Sequence, residues 1–243
     1  MLKISIVTPS FNSERFIEDC ILSVLNQNYP NFEHIIIDGG SNDGTIDIIK
    51  KYKHLKWISE PDNGLYDAMN KGIKMSSGKY IGILNSDDWY EEDVFNKVLN
   101  IFESKSNVGV VHGDMLKWKN GKIYRKDKYK EHQMYYGMWV KHPTCFIRKE
   151  IYEHYGLFNT KYKLQADYEL MLRFKKNGVI FHYIPHVITN FRMGGYSTEN
   201  WSLKESIEVR TKNGFSFIWA FISAITVRSI FKIRLTFKDI INK

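Results

Sequence analysis

The sequence predicts an α/β fold: a mainly parallel sheet with helices on both faces, followed by a helical tail. Three observations carry this expectation. Short apolar, β-rich runs alternate with amphipathic segments from Ile4 to His112. The stretches between them gather Asp, Asn, Gly and Pro, the residues of turns and helix starts. A chain of 243 residues, 43% hydrophobic and 26% charged, suits one α/β domain plus a tail better than two full domains.

Ile4–Thr8 reads as a buried first strand, broken by Pro9-Ser10-Phe11-Asn12. A helix is expected from about Ser13, its N-cap, with Phe16, Ile17, Cys20, Ile21, Val24 and Leu25 on one face. Phe32–Ile37 forms the second strand and Ile46–Tyr52 a helix. Leu55–Ser59 is a third strand, Leu65–Met75 a helix, and Tyr80–Leu84 a fourth strand. Asp93–Glu103 and Val108–His112 complete the series as a helix and a fifth strand.

Past residue 113 the rhythm changes. Asn120-Gly121, between Leu116-Lys117-Trp118 and Ile123-Tyr124, is a hairpin signal. Lys126–His132 reads as a polar, mobile loop, Thr144–Ile147 as a strand, and Lys149–Tyr155 and Asp167–Lys176 as helices. The expected organisation is one domain in two halves, 1–113 and 114–200, with a tail at 201–243. Within that tail Phe215–Val227 is almost wholly apolar, and Arg228, Lys232, Arg234 and Lys238 follow it. Such a segment is too short to span a bilayer, which takes about 20 apolar residues. It suits a helix lying in a membrane interface, or one packed on the domain or on a second subunit.

A formal charge of +8 favours an anionic partner: a nucleoside diphosphate, an anionic lipid surface or nucleic acid. Cys20 and Cys145 both sit in apolar runs, so buried free thiols in a reducing compartment are expected. The N-terminal apolar run is too short for a signal peptide. The strand–helix loop Thr8–Asn12 has neither G-x-G-x-x-G nor a phosphate-gripping glycine loop, which argues against dinucleotide oxidoreductases and sugar nucleotidyltransferases. No helix-turn-helix, zinc-ligand set or RNA-binding motif is apparent, and no nucleic-acid partner is expected.

In open α/β sheets ligands bind beyond the carboxyl ends of the strands. The loops Thr8–Asn12, Asp38–Thr45, Glu60–Gly64 and Asn85–Trp89 should therefore meet at one site, and three of them carry carboxylates. Asn85-Ser86-Asp87-Asp88, directly after a strand, offers oxygen ligands for Mg2+ or Mn2+, or equally a turn. Asp38, at the end of another strand, can accept from a base or ribose, or brace the glycine turn that follows it.

The chain resembles family 2 glycosyltransferases of the GT-A fold. The matching stretches are Ser5–Asn12, Ile37–Thr45, Glu60–Gly64, Asp67–Gly72, Leu84–Asp88 and Ala166–Leu170, in the expected order between about residues 3 and 198. The resemblance implies a mainly parallel Rossmann-like sheet, with residues 1–113 binding a nucleotide sugar and 114–200 holding the acceptor and the catalytic base. It places Thr8, Pro9 and Asn12 beside the nucleotide and Asp38 at the base. Gly40, Asp62, Asn70, Asn85 and Ser86 help to form that pocket. Asp87 stands at the metal-binding position with Asp88 beside it, and Asp167 at that of the general base. Two departures are visible: Asn85 stands where the family often has Asp, and Ala166 where Glu commonly precedes the base.

The implied reaction is inverting transfer from a nucleoside-diphosphate sugar, UDP favoured, to a glycan or lipid-linked glycan, with Mn2+ or Mg2+. Its place would be the cytoplasm, peripheral on the inner face of the plasma membrane, with surface contact through 215–238. His142 and Arg192 are further candidates, for the acceptor and for the diphosphate; a core histidine and a plain turn explain them as well. A non-catalytic nucleotide- or membrane-binding relative is the alternative.

Overall fold

A computed structural model describes residues 3–129, 139–194, 202–227 and 229. The elements run β1 (Ile4–Ser10), α1 (Ile17–Leu25), β2 (Phe32–Asp38), α2 (Thr45–Lys50), β3 (Leu55–Ser59) and α3 (Leu65–Met75). Next come β4 (Tyr80–Ile83), β5 (Trp89–Tyr90), α4 (Val94–Ser104), β6 (Val108–Lys119) and β7 (Lys122–Asp127). After a 3-10 turn at His142–Thr144 follow β8 (Phe146–Arg148), α5 (Lys149–Tyr155), α6 (Ala166–Lys176), β9 (Ile180–Arg192) and α7 (Leu203–Lys212). A last helix, α8, covers residues 217–227.

Among the described residues the strands form one nine-stranded sheet in the order β3-β2-β1-β4-β8-β6-β9-β5, with β7 paired to the outer part of β6. β1, β2, β3 and β4 are parallel; β8 runs antiparallel to both β4 and β6. The carboxyl ends of β1 to β4 and of β6 therefore point the same way. β6 passes straight through residue 113, so the same strand serves both expected halves.

Burial on both faces follows from strand alternation. Val7, Ile81, Val110 and Ile147 join the core under α3, α5 and α6, whereas Ile6, Tyr80, Val111 and Phe146 join the core under α1 and α4. Each fully buried side chain of this size contributes about 1.5–3 kcal/mol of transfer free energy. α3 lies unusually close to β1, because a Cβ at Gly72 would stand 2.2 Å from Val7. That approach carries Tyr66, at the start of α3, to the edge of the site.

Several boundaries differ from expectation, each for a local reason. α1 begins at Ile17, after a turn closed by Phe16 and Ile17 N–H donating to the Ser13 carbonyl; the Ser13 hydroxyl bonds Ser86 instead of capping. The strand expected at Thr144–Ile147 begins only at Phe146, because His142–Thr144 coils into the 3-10 turn. β9 was not anticipated: it contains Pro185, which falls where β9 gains two residues on β6 between Ile184 and Val187, a bulge that needs no donor from the proline. The Asn120-Gly121 hairpin forms as expected, both residues having positive φ (51° and 73°) as a type I′ turn requires. Cys20 and Cys145 are buried and free. The loop expected at Lys126–His132 begins as the end of β7, and its last residues lie outside the described ones.

α7 starts at Ser202, whose hydroxyl accepts from the Glu205 N–H. The Glu205 carboxylate does not return to close the capping box; it accepts from the Lys163 and Leu164 N–H groups and tethers the loop before α6. α8 packs its small residues inward: Ala220, Ser223 and Ala224 are buried, while Phe217, Ile218, Phe221, Ile222 and Ile225 are exposed. Arg228, Lys232, Arg234 and Lys238 lie outside the described residues. No described helix is long and apolar enough to cross a membrane.

Candidate active site

A cavity of about 960 Å³ opens at the carboxyl ends of the first four strands. Pro9–Ser13 after β1, Gly39 after β2, Pro61–Gly64 after β3 and Asn85–Asp87 after β4 line it. A second wall comes from Tyr66 of α3 and from Thr160, Tyr162 and Lys163 in the loop that α7 tethers. The loops hold one another. Asn12, in the left-handed region at φ 47°, donates its N–H to Ser41 Oγ at 2.8 Å and accepts the Asn42 N–H at 3.0 Å. Asparagine tolerates this backbone conformation better than most residues.

The two carboxylates of the Asp87-Asp88 turn differ in environment. Asp87 lines the cavity, and burial raises its proton affinity. Asp88 is fully buried and turned away: its carboxylate accepts from Asn85 Nδ2 and from the Arg192 N–H, both at 2.9 Å. Burial, reinforced by Asp87, pushes the Asp88 carboxyl well above the usual range. Asp87 offers a metal an oxygen ligand toward the cavity, whereas both Asp88 oxygens are engaged in holding the turn. Among the described residues no group of three or more His, Cys, Asp or Glu is arranged to hold a metal alone. A desolvated carboxylate facing open space beside a second one still fits a hard divalent cation whose other ligands come from phosphate and water.

Behind the cavity-lining Tyr66, Asp167, in the first turn of α6, accepts from the Tyr66 hydroxyl at 3.2 Å and from the Tyr168 N–H at 2.8 Å. Burial raises its carboxyl to about 6, against those two hydrogen bonds, which lower it. A carboxylate tuned toward neutrality in a cleft is suited to accepting a proton.

Of the residues expected from sequence, Pro9, Asn12, Asp62, Asn85, Ser86 and Asp87 meet around the cavity, and Asp167 reaches it through Tyr66. Others stand behind it. Thr8 is buried against His34, and Asp38 and Gly40 form a turn closed by the Asp38 carboxylate. Asn70 makes a reciprocal pair with the Phe158 backbone at 2.9 and 3.0 Å. His142 is buried edge-on to Phe158, its ring held down to about 4 by burial, so it is neutral at physiological pH. Arg192 lies over Trp89 and Phe16 and donates to the Asp87 carbonyl at 2.8 Å and to Asp19 at 2.6 Å. It braces the back of the Asp87-Asp88 turn, and the residues at 195–200 lie outside the described ones. Phe11, Arg15, Tyr66 and Lys163 were not singled out from sequence, although Phe11 had a signal, an aromatic residue in a turn with no strand or helix face to bury it.

A mainly parallel α/β sheet with a carboxylate-bearing cleft at its carboxyl edge is the architecture of GT-A glycosyltransferases. Residues 5–156 match the description of glycosyl transferase family 2, and the chain belongs to that family. It is similar to the PGL/p-HBAD biosynthesis glycosyltransferase of Mycobacterium bovis (strain BCG / Pasteur 1173P2), at 26% identity over 79% of this chain and 78% of the relative. It is also similar to the putative teichuronic acid biosynthesis glycosyltransferase TuaG of Bacillus subtilis (strain 168), at 37% over 42% of this chain and 43% of the relative. Among solved structures, residues 1–349 of S. aureus TarS in complex with UDP-GlcNAc superpose with a TM-score of 0.72 at 19% identity, over 87% of this chain and 65% of that one. The mannosyltransferase PcManGT from Pyrobaculum calidifontis, in complex with GDP-Man and Mn2+, superposes with a TM-score of 0.66 at 15% identity, over 92% and 73%. At these identities the structural likeness carries the fold alone. The chain spans less than two thirds of the TarS fragment's length.

Proposed function

We propose that the chain transfers a sugar from a nucleoside-diphosphate sugar to an acceptor hydroxyl with inversion at the anomeric carbon. The observation that carries this reading is the cavity lined by Asp87 and by Tyr66, whose hydroxyl donates to Asp167 behind it. Asp167 takes the acceptor's proton as its oxygen bonds the anomeric carbon, while the bond from that carbon to the diphosphate oxygen breaks. Attack opposite the leaving group in one step inverts the centre. Asp87 would hold Mg2+ or Mn2+, which when bound supplies positive charge for the leaving diphosphate. Arg15 and Lys163 add positive charge along the cavity wall.

The acceptor proposed is a glycan or lipid-linked glycan of polysaccharide, capsule or O-antigen type. The location proposed is the cytoplasmic face of the plasma membrane. The outward Phe217, Ile218, Phe221, Ile222 and Ile225 of α8 support surface contact, as do the basic residues that follow in sequence. The test is a screen of UDP-, GDP- and TDP-sugars with Mn2+ or Mg2+, beside Asp87→Ala and Asp167→Asn. One donor turned over only with metal, and lost in both variants, supports the reading. If no donor binds under any condition, it fails and a non-catalytic binding role replaces it.

A further inference from the structure

The hairpin of β6 and β7 carries Lys117, Lys119, Lys122, Arg125, Lys126 and Lys128 against two acidic residues, Asp114 and Asp127. Cross-strand register sorts the charges by face. Lys126 reaches Asp114 at 3.0 Å, and the Tyr183 hydroxyl donates to the same carboxylate at 2.7 Å, so that face is balanced. On the other face Met115 stands opposite Asp127, and Lys117 opposite Arg125. There Asp127, 8% exposed, receives Lys117 Nζ at 3.3 Å and the Arg125 guanidinium through Nε and Nη2.

Lys141, just before the 3-10 turn, joins this group. Burial raises the Asp127 carboxyl, but Lys117, Arg125 and Lys141 together hold it below the ordinary range. Burial lowers the Lys141 ammonium; Asp127 and Asp167 pull it up, and Lys117 and Arg125 push it down further. Among the described residues, three cations thus share the Asp127 carboxylate in half-buried surroundings, where like charges repel more strongly than in water. A second anion offsets that repulsion. The Lys117 ammonium lies 5.6 Å from the centre of the Phe191 ring, and Phe191 lines the cavity. Lys141 is close enough to Asp167, the base proposed above, for the two charges to act on each other. Lys117 and Arg125 keep 20% and 41% of their side chains exposed, so a solute can reach them.

We infer, on the transfer reading above, that Lys117, Arg125 and Lys141 bind an anionic group of the acceptor. The acceptor is then a glycan bearing a phosphate or a carboxylate near the hydroxyl that Asp167 deprotonates. Asp127 orients Lys117 and Arg125, and both keep further N–H donors for a second anion. A neutral sugar in the same place leaves the repulsion uncompensated, which selects against it.

The experiment measures binding of poly(glycerol phosphate), polygalacturonate and dextran to the full chain at about 0.15 M salt, with UDP and Mn2+ titrated in parallel. The unaltered chain is expected to bind one of the charged polymers at least about tenfold more tightly than dextran, and the preferred one identifies the group as phosphate or carboxylate. Arg125→Gln should weaken that polymer by about tenfold. Asp127→Asn should tighten it, because the cations lose their resident anion, whereas a merely structural ion pair gives no gain. This variant decides the matter if Arg125→Gln does not fold. Lys119→Gln with Lys122→Gln, at the exposed hairpin tip, should cost less than about twofold. An equal loss in the tip and Arg125 variants would reduce the effect to diffuse charge and overturn the inference. An equal loss of UDP affinity in Arg125→Gln would assign the cluster to the donor's diphosphate and overturn the acceptor assignment. A chain that binds a charged polymer but no UDP would overturn the transfer reading and this assignment with it. UDP binding without preference for a charged polymer would overturn this inference alone.

Discussion

The Tyr66 hydroxyl donates to Asp167 Oδ1 at 3.2 Å, joining the first turn of α3 to the first turn of α6 across 101 residues of sequence. Burial and the Asp167 charge both push the Tyr66 phenol well above its ordinary value, so it remains a donor through neutral pH. As base, Asp167 must be ionised, and its carboxyl is raised to about 6. kcat/KM for transfer should therefore rise through pH ~6, and Asp167→Asn should cost ~10²–10⁴ in kcat. Tyr66→Phe removes a donor to the charged form, so the acidic limb should move to higher pH. A rate profile from pH ~5 to ~8 checks it; an unmoved limb in Tyr66→Phe would disconnect this pair from the chemistry.

The same carboxyl makes a prediction about stability. Its native pKa lies above its ordinary value. Its contribution is therefore fully present below the usual carboxylate range and is lost as pH rises through about 6. At neutral pH Asp167→Asn should accordingly unfold less readily, by roughly 1–3 kcal/mol, while being inactive. Equal denaturant midpoints for the two proteins would contradict this.

Asp87 and Asp88 are adjacent, and their substitution should have opposite phenotypes. Asp87→Ala should keep its melting temperature and lose metal-supported donor turnover. Asp88→Ala abandons the Asn85 amide and the Arg192 N–H, so it should lose about 1–3 kcal/mol of stability. Thermal melting beside a donor hydrolysis assay separates the two effects.

Asn70→Ala should behave as a structural lesion. Its amide closes both hydrogen bonds to Phe158, and its loss leaves a buried N–H and C=O unpaired, at about 1–3 kcal/mol. Nucleotide affinity measured well below the melting temperature should change little.

Ile218→Asp with Ile222→Asp should abolish co-sedimentation with vesicles containing anionic lipid and leave the melting temperature unchanged, because both side chains face outward. Binding of the unaltered chain should weaken with added salt, as attraction between basic residues and lipid is screened. A monomer-to-dimer shift in the double variant, without any vesicle binding by the unaltered chain, would identify α8 as a subunit contact.

Much of the scaffold was legible because its signals are local. β3 at Leu55–Ser59, α3 at Leu65–Met75 and α5 at Lys149–Tyr155 lie where apolar spacing and turn residues put them. The loops after β1, β3 and β4 line one cavity, as strand order and the carboxyl-edge rule require. α7 falls within the helical tail expected from residue 201, although its capping-box start at Ser202-Leu203-Lys204-Glu205 was not singled out, and β9, with Pro185 accommodated at a bulge, was not laid out as a strand.

What the sequence determined by itself was the alternation of strands and helices, the family and the loops that form the site. Only the tertiary structure decided which carboxylates face the cavity. Asp38, Asp62, Asp87 and Asp88 are equivalent as letters after strands, yet Ser41 and Ser59 saturate the first, and Asn85 and Arg192 the last. The donors that fill a carboxylate come from residues up to 104 positions away, as the Arg192 N–H does for Asp88. Their arrival depends on packing, which no local pattern in the chain encodes.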